Sequence, residues 1–188
     1  MATDVAVCVP ARCVHLAMSM LVQIGKRSES ADLVDLLHEC HGRIRRFLVM
    51  GHQLARTPDA TREEIAEAAG QIRRYFAESL PLHMADEDLD IAPRIADAEV
   101  VKRVHDDHRA HAPLVAELVS MCETLRGSPE QHPALRMHLG DVVRQLANEL
   151  ESHMELEERT VFPAVRQLGP SEQAAIVLAM QHRRNPHA

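Results

Sequence analysis

The sequence is poor in aromatic residues, in positive charge and in long apolar runs. Only 2% of its 188 residues are aromatic and none is Trp, so Leu, Val, Ile, Ala and Met must fill the core. That mixture favours helices. The formal net charge is -7, which argues against a nucleic-acid or anionic-membrane partner, because both need clustered Lys and Arg whose counterion release drives binding. The four cysteines, Cys8, Cys13, Cys40 and Cys122, form no C-x-x-C pair, and a domain of this size needs no disulfide to fold, so a reducing, cytoplasmic setting is expected. Residues 14–24 are apolar but are interrupted by His15 and Gln23. They are too short for a bilayer span and lack a small-residue cleavage site.

Histidine is what the chain has in excess, with 13 copies. Their placement follows a helical grid. Val34, Leu37, His41, Ile44, Leu48 and Gly51 make one inward stripe by alternating steps of three and four, which predicts a helix over residues 31–56. Thr61 with Glu64 reads as a capping box opening a second helix, whose stripe of Ile65, Ile72, Phe76, Leu80, His83 and Glu87 runs to about Ile95, with Pro93 expected to kink or end it. Asp97 caps a third, with Val101, Val104, His108, His111, Val115, Leu118 and Cys122 facing inward until Gly127-Ser-Pro. A fourth begins near residue 133 and carries Leu139, Val142, Leu146, His153, Glu157 and Val161, with Pro163 near its end. Gly169-Pro-Ser-Glu starts a short terminal helix, and His182 and His187 are assigned to a tail. The expected architecture is an all-α, up-down-up-down four-helix bundle over residues 31–168. An extension at 1–30 precedes it, and a C-terminal helix and tail at 169–188 follow.

The two halves repeat. His38-x-x-His41 recurs as His105-x-x-His108, and His83-x-x-x-Glu87 with Pro93 recurs as His153-x-x-x-Glu157 with Pro163. Short connections make neighbouring helices antiparallel, so the start of the first and third helices and the end of the second and fourth share one end of the bundle. His41 and His108 lie about ten residues inside their helices from that end, the His-Glu pairs lie a similar distance from it, and a rise of roughly 1.5 Å per residue puts all six in one layer.

Residues four apart share a helix face, so each His-x-x-x-Glu presents an imidazole and a carboxylate to the same space. Such donors suit iron, zinc or manganese, and a carboxylate can bridge two adjacent ions. Two unpaired carboxylates in a core would each cost several kcal/mol, and no Lys or Arg falls on these stripes nearby. His41, His83, Glu87, His108, His153 and Glu157 are therefore the expected metal ligands. The flanking acids Asp86, Asp88, Asp90, Glu155 and Glu158 are read as solvated, and the Met residues as gap fillers. His38-Glu39-Cys40-His41 lacks the zincin spacing, the Glu-x-x-His pairs of ferritin-like di-iron bundles are absent, and Cys8, Cys13 and His15 are read as ordinary buried residues.

With these segments in view (CHGRIRRFL, LHMADEDLDIAP, DDHRAHAPL and SHMELEERTVFP), the chain resembles the haemerythrin-like or HHE cation-binding family over roughly residues 31–168. The resemblance implies a non-haem di-iron centre, two irons bridged by both carboxylates and by an oxo or hydroxo oxygen. Oxygen-carrying members have a histidine where this chain has Ala112, and an Asp five residues after the helix-four histidine where Glu157 comes after four. Both departures argue against reversible oxygen transport. His111 is three residues beyond His108 and beside Pro113, and a seventh ligand, a supporting role behind the ligands or an ordinary core role is open to it. The leading expectation is an iron protein that binds or reacts with O2, peroxide or nitric oxide in sensing or stress defence. An iron buffer or sensor and a metal-free interaction bundle are the alternatives.

Overall fold

In the computed structural model, described over residues 32–128 and 133–185, every regular element is helical. The chain divides between Ala31 and Asp32. The expected N-terminal extension, with Cys8, Cys13 and His15, lies outside the described residues, as does His187.

Helix α1 is Leu33–Arg56. Its N-cap is Asp32, whose carboxylate accepts from the Asp35 N–H at 2.8 Å. At its other end the guanidinium of Arg136 donates to the Leu54 and Thr57 carbonyls, which the helix itself leaves without donors. Helix α2, Arg62–Arg74, opens with the expected Thr61–Glu64 capping box. A π-helical turn, Tyr75–Ser79, joins it to α3, Leu80–Asp86. A second π turn, Glu87–Ile91, and a 3-10 turn, Ala92–Arg94, finish this arm at Pro93 as expected. Helix α4, Ala98–Gly127, is capped by Asp97 and runs through Pro113 as one continuous helix. Helix α5 is Pro133–Leu156, a third π turn is Glu157–Val161, and α6 is Phe162–Arg166.

Around the bundle α1 packs against α2 and α5, and α4 packs against the same two, the ring expected of an up-down-up-down connection. The terminal helix α7, Pro170–Arg184, is longer than the short helix expected, and His182 belongs to it rather than to a tail. It lies against α3, α1 and the Glu87–Ile91 turn, and it buries Ile176 and Met180 with Leu37, Val104, Val161 and Phe162 at that end of the bundle. The opposite end is filled by Leu54, Ile72, Leu118, Leu125, Leu139 and Leu146, all buried. Thus apolar layers close the bundle on both sides of the histidine layer. Among the described residues no helix is long and apolar enough to cross a membrane.

Helices α1 and α5 approach closely because both carry glycine at the crossing. A Cβ added to Gly51 would stand 2.9 Å from Val143 Cγ2, and one added to Gly140 would stand 3.0 Å from the Ala55 Cβ. Gly51→Val should therefore destabilise the protein by about 2 kcal/mol through overpacking. Gly42 meets nothing within 4 Å, so Gly42→Ala should instead raise stability by about 0.5–1 kcal/mol through helix propensity. Urea unfolding midpoints of the two variants check the pair, and a stable Gly51→Val protein would refute the close crossing.

Candidate metal centre

All six residues expected as ligands are buried and lie in one layer of the bundle. They fall into two groups, His41, His83, Glu87 and Glu157 on one side and Glu87, His108, His153 and Glu157 on the other, each with donor atoms within 4.8 Å of one another. The two carboxylates belong to both groups. Glu87 Oε1 lies 3.2 Å from His83 Nε2, and Glu87 Oε2 lies 3.3 Å from His108 Nε2. Glu157 does the same in mirror fashion, Oε2 standing 3.2 Å from His41 Nε2 and Oε1 standing 3.4 Å from His153 Nε2.

These short separations are not hydrogen bonds. The four carboxylate oxygens and His41 Nε2 are all buried without a hydrogen-bond partner. The tautomers explain part of this. His41 Nδ1 is 2.8 Å from Glu158 Oε1, and His108 Nδ1 is 2.9 Å from Asp88 Oδ1. A carboxylate can only accept, so each Nδ1 carries the proton and donates it, which leaves Nε2 a lone pair in the neutral ring. The Nε2 atoms of His41 and His108 thus face the carboxylate oxygens lone pair to lone pair. The His108 and His153 Nε2 atoms meet 3.1 Å apart in the same layer. A metal bonded at about 2.1 Å sets neighbouring donors about 3 Å apart, which is the spacing seen. The donor set, its orphaned inward atoms and the outward carboxylates all fit a metal centre.

The protonation energetics agree. Burial first, and then the carboxylates of Glu157, Asp86 and Asp88, push Glu87 well above its ordinary value. Burial first, and then the facing imidazoles, hold His83 well below its own. Burial also lowers His153, against the opposing pull of Glu157. Burial thus disfavours the charged forms of Glu87, His83 and His153, and a cation placed between them would favour an ionised Glu87 together with neutral imidazoles. Glu158 differs. Burial opposes its ionisation, but the bonds from His41 and Arg45 outweigh that and hold its carboxyl below the usual value.

Two of the π turns explain how one short stretch supplies both kinds of carboxylate. The Glu87 carbonyl accepts from the Ala92 N–H and the Glu157 carbonyl from the Phe162 N–H, five residues on, with a proline following immediately in each case. Pro93 and Pro163 lack the N–H that would continue the α ladder, and the widened turn of the kind common at functional sites begins at each bridging-type glutamate. Within it Glu87 and Glu157 face the core while Asp88 and Glu158 reach the histidines across the seam.

The expectation that the flanking acids are solvated is therefore wrong for four of the five. Asp88 and Glu158 hold the ligand-type histidines in place, and each is recognisable as an acid directly following the glutamate in both halves of the repeat. Asp86 is fully buried and takes the guanidinium groups of Arg183 and Arg184 from α7, while Arg183 also holds Asp90 at 2.6 Å. No local pattern reveals that pairing, since its partners are about a hundred residues away. A 3.5 Å contact from His153 Nδ1 to Asp107 is a weaker version of the same support. His38 and His105 stay at the surface side, 3.9 Å from Glu158 and 3.3 Å from Asp88. His111 is buried beside His153 but is outside both donor groups.

Fold and donor set are those of a helical bundle built around a buried cation site. The chain belongs to the family described as the hemerythrin HHE cation binding domain, whose model matches residues 32–165 and, overlapping, residues 100–185. It is also similar to the iron-sulfur cluster repair protein YtfE of Dickeya chrysanthemi (strain Ech1591), 29% identical over 83 residues, which is 44% of this chain. The match spans 36% of that protein's length, so the chain covers about a third of the relative.

The α7 clamp yields a test that needs no metal. The double variant Arg183→Ala, Arg184→Ala leaves Asp86 buried and uncompensated and should cost about 3 kcal/mol. Adding Asp86→Asn should recover part of that loss. Urea unfolding of the three metal-free proteins measures it, and an unaffected double variant would show that the clamp contributes nothing.

Proposed function

We propose that the chain holds two iron ions, one in each donor group, and that this pair binds or reacts with O2, peroxide or nitric oxide in sensing or stress defence. The observation that carries the reading is the division of each carboxylate, with one oxygen turned to His41 or His83 and the other to His153 or His108. Such glutamates are disposed to bridge. Imidazole and carboxylate together suit iron, and a relative named for iron–sulfur cluster repair supports iron over zinc or manganese. Two histidine nitrogens and two carboxylate oxygens of the chain would hold each ion, and a metal held by only four protein atoms could also take solvent and a small ligand. When bound, the pair would supply Lewis acidity and one-electron redox chemistry.

The chain's own residues shape that chemistry. Glu158 and Asp88 fix the tautomer and orientation of His41 and His108. Leu37, Ile91, Val104 and Val161, all buried one turn beyond the layer, keep bulk water from that side.

Iron-replete protein should contain two irons per chain and show ligand-to-iron charge-transfer absorption that changes on adding peroxide or nitric oxide. Glu87→Ala or Glu157→Ala should lower iron to one per chain or less, whereas His38→Ala should leave two. Asp88→Asn and Glu158→Gln should weaken iron binding about 10–100-fold. Chelation should lower Tm, since a ligand at a thousand times its Kd adds about 4 kcal/mol to the folded state. Protein with fewer than one iron, or equal iron loss from His38→Ala and His41→Ala, would sink the assignment. An iron-loaded protein inert to all three small molecules would confine its role to iron storage or sensing.

A further inference from the structure

The duplication that builds the centre is broken in the buried layer next to the ligand-type residues. Aligning His38-x-x-His41 with His105-x-x-His108 sets Ile44 opposite His111. Along the four helices the layer one turn further into the bundle is thus Ile44, Leu80, Leu150 and His111, all 3% exposed or less. Three are hydrocarbon and one is an imidazole. The His111 ring packs edge-on to His153, centroids 5.3 Å apart, and its Nδ1 is buried with no hydrogen-bond partner. An orphaned buried nitrogen costs stability where leucine or isoleucine would cost none. The fold itself therefore gives no reason for a histidine here, whereas a guest at the neighbouring site would.

We propose that His111 is a binding residue for a small exogenous ligand at the His108/His153 half of the centre, hydrogen-bonding that ligand from outside the metal's own donor set and making the two halves inequivalent. It stands outside the metal's donors because it belongs to neither group of convergent atoms. It acts on the second half because His153 is the ring it touches, while the first half offers only the Ile44 side chain at the matching place. The ligand class is a small molecule or anion with a lone pair to accept, such as azide, peroxide or nitric oxide. This rests on the di-iron reading above.

The test uses full-length iron-loaded protein, wild type beside His111→Leu and His111→Gln, with azide as the probe. Iron content, azide affinity from charge-transfer absorption, and Tm of the metal-free form are measured together. His111→Leu should keep two irons per chain and an unchanged or higher metal-free Tm, because it removes the unpartnered nitrogen. Its azide Kd should rise roughly five- to ten-fold, the size of one hydrogen bond, and His111→Gln should restore much of the affinity. Unchanged azide affinity in an iron-loaded His111→Leu protein would overturn the inference while leaving the di-iron reading standing. Iron falling to one per chain in His111→Leu would overturn it by making His111 a metal ligand. A large fall in metal-free Tm would overturn it by making the residue structural. Wild-type protein without iron would remove the di-iron reading, and this inference with it.

Discussion

Two carboxylates meet in the core of this bundle with no donor for any of their four oxygens. Water would solvate such groups and a neighbouring cation would neutralise them, but the flanking layers, apolar apart from His111, exclude the first and no side chain among the described residues supplies the second. Each would cost several kcal/mol if left so. The surrounding structure reads as an accommodation of that cost. His41 and His108 turn their lone pairs inward because Glu158 and Asp88 hold their outward nitrogens, and the helices widen into π turns where the glutamates begin. A cation sharing the layer satisfies all of these features at once.

Duplication gives the site its near two-fold character, and the departures from it are informative. His41 and Glu158 match His108 and Asp88, and Glu157 matches Glu87, so the inner cage is built twice from the same parts. Asp86 breaks the match, because the corresponding residue of the other half is Leu156. That single acid is where α7 is fastened, through Arg183 and Arg184. The second departure is His111 in place of Ile44. One half of the centre therefore carries a helical cover on its outer side, and the other carries a polar group in its ceiling.

Much of this was legible in the chain because it depends on local periodicity. The caps at Asp97 and Thr61, the inward stripes and the six convergent residues all follow from spacing along single helices, and antiparallel connection then places them at one height. Asp88 and Glu158 were misjudged because a charge at the edge of a stripe reads as solvent-facing when the helix is assumed to keep 3.6 residues per turn. The π turns change that facing. Asp86 and the length of α7 were missed for another reason: a buried ion pair between residues about a hundred positions apart leaves no periodic trace, and arginines close to the chain's end look like a solvated tail. Continuous helix across Pro113 likewise reflects packing of α4 between α2 and α5, which compensates for one lost hydrogen bond.

The placement of Asp86 beside Glu87 also bears on how tightly the bundle and its cation are coupled. Asp86 is one of the groups that push Glu87 upward, after burial and Glu157, and its own charge is answered by the two arginines of α7 rather than by anything in the cage. The clamp therefore neutralises the outer acid while leaving the inner one dependent on a cation. Seating α7 adds Ile176 and Met180 to the apolar end of the bundle, so the same helix that balances Asp86 also dries the space beneath Glu87. Drying strengthens both the repulsion between Glu87 and Glu157 and their attraction for a cation. A helix outside the four-helix ring thereby sharpens the preference of this layer for a cation without contributing any of the six convergent residues.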